Sequence, residues 1–351
     1  MRKSFLLAAA ALVAAVACNK EEAAKMPQPE MGVKSDLTVS IANASATKAT
    51  GVVYADDEAK VNTLEIFVFN GDALDAYKKG TGVTELTLSC TAGPRSVYAV
   101  VNAEEDYSGI TSKAALLAKG SQLQNNDLGN MVMVGSTEVT LPQTSKVNID
   151  VSRIASRVVI KKITSALEGA SAELDFTVDA IYLLNAAGEQ SALFEANATL
   201  DDDAIWYNKI KQTTNAGVDG LIYDAVTGVN LKNASSSAVE HDFYCYPNPT
   251  VDDENEGSWS ARHTRLVIKT TIGGTVYYYP LTMPVMESNH SYEINEVIIK
   301  HLGNIDLPGD DTDGLQDTPV KASDVTFQIT VKDWIPVILS GEDDEEGIWT
   351  I

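Results

Sequence analysis

Val325-Thr326-Phe327-Gln328-Ile329-Thr330-Val331-Lys332-Asp333-Trp334 is the stretch that decides the fold. Apolar Val325, Phe327, Ile329 and Val331 alternate with Thr326, Gln328, Thr330 and Lys332, and a period of two puts each set on its own face of a strand. The pattern predicts a half-buried β-strand closing at Trp334. Beyond Trp334 the chain stays apolar through Ile335, Pro336, Val337, Ile338 and Leu339, makes an acidic turn over 341–347, and finishes in Ile348, Trp349, Thr350 and Ile351. Chain ends are ordinarily polar and frayed, so these residues call for a groove to lie in. Two readings stand. Either the tail is the last strand of its own sheet, or it is a strand given to another molecule.

At the other end, Arg2 and Lys3 precede the apolar run Phe5 to Ala17, which closes in Ala15-Val16-Ala17-Cys18. As a helix at 1.5 Å per residue the run reaches about 20 Å, short of the roughly 30 Å hydrocarbon core, so it reads as a signal-peptide core and not a span. Small residues followed by cysteine resemble a bacterial lipobox, which makes Cys18 the candidate lipidation site, carrying palmitate or a similar acyl chain. Asn19-Lys20-Glu21-Glu22 resembles the charged signal that sends lipoproteins to the outer face of the outer membrane.

Composition narrows the function classes. With 49 acidic against 26 basic residues, the formal net charge is −23. That disfavours nucleic acid and anionic membrane surfaces by long-range repulsion, leaving the lipid as the expected membrane attachment. Cys90 and Cys245 lie far apart without a CxxC or Cys/His spacing and read as buried small hydrophobes. His241, His263, His290 and His301 form neither HExxH nor another metal-ligand spacing, and no GxSxG elbow, P-loop or dinucleotide fingerprint occurs. Gly309 and Val320 stand at the first and twelfth positions of the acidic loop around Asp310-Asp311-Thr312-Asp313-Gly314, where calcium ligands belong. Neither a metal, a cofactor nor catalysis is expected.

Between the ends the chain reads as β throughout. Lys20 to Lys34 is a linker with Pro27 and Pro29. Leu37, Val39 and Ile41 share one face of a strand over 37–42, followed by the small, polar run 44–51 with Lys48 in its middle. Such a run is what a trypsin-like protease needs, because the scissile backbone must enter the enzyme extended and unpaired. Further strands are expected over 63–69, ended by the Asn70-Gly71-Asp72 turn, and over 84–90, 95–101, 130–134, 138–141, 146–151 and 158–163, with a bulge or bend at 153–157. The one expected helix is 111–123, ended by Gly120. Later strands fall at 176–184, 241–247, 264–271, 275–281 and 291–301, with Gly273-Gly274 as a hairpin turn. The stretch 199–237 is polar, shows little periodicity and reads as loops or an insertion. Without residues 1–48 the remaining length suits two domains, and two stacked β-sandwiches are the expected architecture. The expected organisation is a signal peptide over 1–18, a tether and removable first strand over 19–48, sandwiches over 49–168 and 169–334, and a tail over 335–351.

Val276-Tyr277-Tyr278-Tyr279-Pro280-Leu281, Asn289-His290-Ser291-Tyr292-Glu293-Ile294, a loop with Gly303 and Pro308, and the Val-Lys-Asp-Trp ending at Trp334 together resemble the C-terminal domain of the fimbrillins, the type V pilins of the Bacteroidota. Arg153-Ile154-Ala155-Ser156-Arg157-Val158 resembles the arginine-containing segment near the end of their N-terminal domain. The resemblance implies an all-β protein of two tandem transthyretin-like Greek-key β-sandwiches. It implies export as an outer-membrane lipoprotein, trimming at a basic residue by a surface protease, and polymerisation by donor-strand exchange into an extracellular fimbrium that supports adhesion and biofilm formation. Carried onto this chain, the cut falls between Lys48 and Ala49, with lysine where the best-known members have arginine. Its displaced strand is Leu37, Val39 and Ile41, and the donor positions are Val337, Leu339, Ile348 and Ile351. The implied partners are other pilin subunits, the processing protease and host or bacterial surface receptors. The alternative is a monomeric surface lipoprotein that binds glycans or host proteins through its loops.

Overall fold

The computed structural model describes residues 32–42, 55–198, 200–232, 236–237, 240–251, 259–305 and 315–334. The fold is all-β with a few single-turn helices. In chain order the first half carries β1 (Lys34–Ala42), α1 (Ala55–Glu58), β2 (Thr63–Asn70), β3 (Ala73–Thr81), β4 (Glu85–Thr91), β5 (Gly93–Val101), α2 (Lys113–Leu117), β6 (Met133–Leu141) and β7 (Lys146–Asp150). The second carries β8 (Ser156–Ile160), β9 (Ile163–Ser165), β10 (Phe176–Leu184), α3 (Asp219–Ile222), β11 (Tyr223–Ala225), β12 (His241–Cys245), β13 (Arg265–Ile272), β14 (Thr275–Thr282), β15 (His290–Ile299) and β16 (Val325–Asp333).

In the first half a three-stranded sheet, β4-β1-β7, faces a five-stranded sheet, β3-β2-β5-β6, which ends in Ser152–Arg153. Leu37, Val39, Leu86, Leu88 and Ile149 of one sheet pack on Leu64, Ile66, Val68, Val97 and Met133 of the other. The second half is organised on β15. Strands β8 and β9 lie parallel along one side of it and β16 lies antiparallel along the other. The facing sheet is β11-β10-β13-β14 with Asn304–Ile305 at its edge. Gly273 and Gly274 make the β13–β14 turn, both at positive φ (57° and 83°), the left-handed conformation that a two-residue hairpin loop demands.

β2 explains how the halves join. Its sequence is nearly all apolar, and both of its faces are covered. Leu64, Ile66 and Val68 enter the first core, whereas Phe67 and Phe69 point the other way into the large core that also holds Ile181, Phe243 and Leu266 of the second half. Residues Ser121–Gln122 pair with Glu189–Gln190 across the same junction.

Several expectations need correction. The helix expected over 111–123 is only Lys113–Leu117. At Gly120 the backbone passes the carbonyl of Gln190 so closely that a Cβ would sit 2.6 Å from it, and the next two residues are taken by the inter-half ladder. Pairing overrides the local helical preference there. The strands expected at 130–134 and 138–141 are one, β6, and the run 73–81, not read as a strand, forms β3 against β2. The bend at 153–157 is a change of sheet: Ser152–Arg153 pair with β6, whereas Ser156–Ile160 pair with β12 and β15. Strands β8 and β9 therefore belong with the second pair of sheets, and the change-over falls between Arg153 and Ser156 rather than at 168/169. The described part of 199–237 is mostly loop, as expected, and it also sends Trp206, Val218, Leu221, Ile222 and Leu231 into the large core. Cys90 and Cys245 are buried free thiols.

Candidate functional site

β1 occupies the middle of its sheet. It runs antiparallel to β4, with Leu37 opposite Leu88 and Val39 opposite Leu86, and parallel to β7, with Val39 opposite Val147 and Ile41 opposite Ile149. Leu37 and Val39 are fully buried and Ile41 is 8 % exposed. Burial of each such side chain stabilises by about 1.5 to 3 kcal/mol, an upper estimate because the unfolded chain is itself partly collapsed. The backbone is fastened at both ends, by Ala92 N donating to Val33 O at 2.9 Å and Val151 N donating to Ala42 O at 3.2 Å.

On the outer face Thr38 meets Thr87 at 2.9 Å, and Ser40 donates to Glu85 at 2.6 Å. Glu85 reaches across β1 to Lys146 of β7 at 3.1 Å. The Ser40 hydroxyl and the Lys146 ammonium hold the Glu85 carboxyl below its ordinary range. Both ends of that ion pair are largely exposed, so it contributes little stability. The apolar face and the two ladders hold the strand.

The arrangement is one of strand pairing: β1 is held by a backbone ladder on each side and by its buried apolar face. Taking β1 away would leave β4 and β7 with unpaired edges facing each other, one needing an antiparallel and the other a parallel partner. A replacement must be extended and place apolar side chains at every second position. Of the residues singled out from sequence, Leu37, Val39 and Ile41 are thus brought together in one groove. Cys18, Lys48, Ala49, Val337, Leu339, Ile348 and Ile351 lie outside the described residues.

A second constellation went unread in the sequence. Glu58, on α1, is 2 % exposed. Its carboxylate accepts from the Tyr244 hydroxyl at 2.6 Å and the Trp334 indole at 3.0 Å, and pairs with Arg157 at 3.2 Å. Arg153 donates to the Glu58 carbonyl at 3.0 Å and lies over the Trp334 ring, 4.7 Å from its centroid. Burial works against the charge on Arg157, but Glu58 and Asp242 raise its pKa nonetheless. Burial, then Glu58, pushes the Tyr244 phenol well above its ordinary value, keeping it a donor. The cluster ties the start of the first half to both ends of the second-half sheet. Two arginines spaced by four in Arg153-Ile-Ala-Ser-Arg157 were the visible signal; the acidic partner was not distinguishable from its neighbours Asp56 and Asp57.

Residues 35–164 match the family model described as "Major fimbrial subunit protein (FimA)". The chain is 27 % identical over 223 residues to the major fimbrium subunit FimA type-2 of Porphyromonas gingivalis, covering 58 % of this chain and 56 % of that protein. It is 24 % identical over 304 residues to the major fimbrium subunit FimC of the same organism, covering 80 % of this chain and 60 % of the other. It therefore spans only a little over half the length of these relatives. Among solved structures, a fimbrilin (FimA) from Porphyromonas gingivalis superposes with a TM-score of 0.57 at 16 % identity, over 86 % of this chain and 98 % of that one. A Bacteroides eggerthii protein described as a cell adhesion protein gives 0.61 at 20 % identity, over 86 % and 96 %. At those identities the structural likeness speaks for the fold.

Proposed function

We propose that this chain, whose residues 35–164 match a fimbrial-subunit family model and which resembles major fimbrium subunits along much of its length, is a pilus subunit assembled at the cell surface by strand exchange, in which β1 is the strand removed and the tail after Trp334 the strand given. In this reading the precursor is exported as a lipoprotein acylated at Cys18, and a surface protease cuts between Lys48 and Ala49. The released piece carries the lipid and β1 together, freeing the subunit from the membrane and opening its groove in one step.

The observation that carries the reading is the place of β1: a central strand with a buried apolar face, contributed by the first residues of the fold and joined to the rest through the segment that contains Lys48. The tail supports it by spacing. Ile335, Val337 and Leu339 repeat the every-second-residue pattern of Leu37, Val39 and Ile41, so they would fill the same face of the groove in an extended conformation. Until cleavage, the intramolecular strand competes at very high effective concentration and blocks assembly.

The test is limited proteolysis of the purified full-length protein with a trypsin-like enzyme, read by intact mass and by electrophoresis without boiling. The expected result is a first stable product beginning at Ala49, followed by a ladder of high-mass polymer. A product that begins at Ala49, loses β1 and stays monomeric would overturn strand exchange. A first product beginning elsewhere would remove Lys48 from the account.

A further inference from the structure

A cleft of about 230 Å³ opens beside β11 and β12, apart from the β1 groove, lined by Leu128, Tyr223, Asp224, Glu240, His241 and Asp242. Its floor is acidic. Asp242 has a side chain only 6 % exposed; one carboxylate oxygen takes the Arg157 guanidinium at 2.5 Å, and the other, Oδ2, has no hydrogen-bond partner among the described residues. Glu240 Oε1 is buried, accepts no hydrogen bond from the described residues and lies 3.7 Å from Arg157. At the mouth Asp224 meets His241 Nδ1 at 2.5 Å, with half of its own side chain in water.

The local charge does not balance. Glu58, Asp224, Glu240 and Asp242 supply four carboxylates against the guanidiniums of Arg153 and Arg157 and the His241 imidazole. Burial pushes Asp242 up to about 6 even with Arg157 beside it, as expected of a carboxylate short of counter-charge. A buried carboxylate oxygen without a donor is costly, and native structures rarely leave one so. Two walls of the cleft are not acidic. Leu128 offers an apolar surface 38 % exposed, and the Tyr223 ring, half-buried and stacked on Tyr182, offers an aromatic face. An acid floor with apolar and aromatic walls suits a cation carried on an alkyl stem, whose methylenes lie along Leu128 and whose charge is shared by carboxylates and the ring.

We propose that this cleft binds the ammonium group of an alkyl amine, supplied by a lysine side chain of another polypeptide or by a free polyamine. The ammonium pairs with the part-exposed carboxylates of Asp224 and Glu240, and a small turn of the Glu240 side chain opens the way to the unpartnered Asp242 Oδ2 beneath it. The site is independent of strand exchange and needs no cleavage of the chain.

Calorimetric titration of the full-length protein with cadaverine, and separately with N-acetyl-lysine methylamide, tests this. Salt of about 0.15 M shortens the reach of the chain's overall negative charge to about 8 Å. Both probes are expected to bind saturably at one site, and Asp224→Asn and Glu240→Gln are each expected to weaken them about tenfold or more, the effect of losing one charge-assisted contact. Binding of both probes points to a polypeptide lysine as the natural ligand; binding of cadaverine alone points to a polyamine. Asp224 is half exposed, so its amide variant should fold even if Glu240→Gln does not, and circular dichroism of each variant checks that. No saturable binding of either probe, binding untouched by a folded variant, or calcium chloride competing for the same site on equal terms would overturn the proposal.

Discussion

Glu58 accepts a hydrogen bond from the indole nitrogen of Trp334 at 3.0 Å, although 276 residues separate them in the chain. Glu58 ends α1, between β1 and the other strands of the first sheet pair, and Trp334 follows the last described strand, β16. The contact anchors the point from which the tail leaves to the point at which the first half resumes after the segment containing Lys48. Arg157 and Tyr244 complete the shell around the same carboxylate.

Glu58→Ala should therefore destabilise the whole molecule and not one edge of it. Removing one partner of a buried, hydrogen-bonded ion pair costs about 3 to 5 kcal/mol, which at roughly 2 to 4 °C per kcal/mol lowers the melting temperature by about 6 to 20 °C. Differential scanning calorimetry of the uncleaved protein measures it. A shift of a degree or less would mean that the cluster is ornamental to stability.

β1 should hold its place through its inward face and not through the Glu85–Lys146 bridge. Leu37→Ala with Val39→Ala removes two fully buried side chains, at about 2 to 5 kcal/mol for a leucine and somewhat less for a valine. The double variant should form polymer before any protease is added, whereas Lys146→Ala should behave as the parent. Size-exclusion chromatography of the untreated proteins distinguishes them, and a double variant that is folded and wholly monomeric would count against β1 as the block on assembly.

Acidity should act through Asp242 in the less usual direction. Burial raises its pKa to about 6 in the folded protein, partly offset by Arg157, against about 3.9 for an unperturbed aspartate. Between those values the folded state holds more protons at this position, so its contribution is fully present below the unfolded pKa and is lost as pH rises through about 6. Relative to Asp242→Asn, the parent should gain roughly 1 kcal/mol between pH 7 and pH 5. Urea denaturation of both proteins at the two pH values gives the difference, and a parent that loses stability against the variant over that range would contradict the assignment.

Deletion of residues 335–351 should separate folding from assembly. Trp334 must be kept, because it is 6 % exposed and its indole is bound to Glu58. A chain ending there should melt within a few degrees of the parent, and after cleavage at Lys48 it should receive a strand without giving one, so that it shortens polymers when mixed with intact subunits. Cleaved, truncated protein that polymerises to normal length by itself would end the donor role of the tail.

The individual strands were determined locally. The alternation in Leu37 to Ala42 and in Val325 to Asp333, the apolar run Phe176 to Leu184 and the Gly273-Gly274 turn each announce their element, because side-chain period and turn conformation depend on neighbours in the chain. The inward face of β1 was legible for the same reason. Which sheet each strand joins was decided only in three dimensions. Ser156 to Ile160 reads the same beside β6 as beside β15, and Gly120 reads as a helix stop until the backbone of Gln190 lies against it. Glu58 was the least legible of all. Its burial comes from Arg157, Tyr244 and Trp334, which arrive from distant parts of the chain, and a carboxylate's surroundings leave no period in its own sequence.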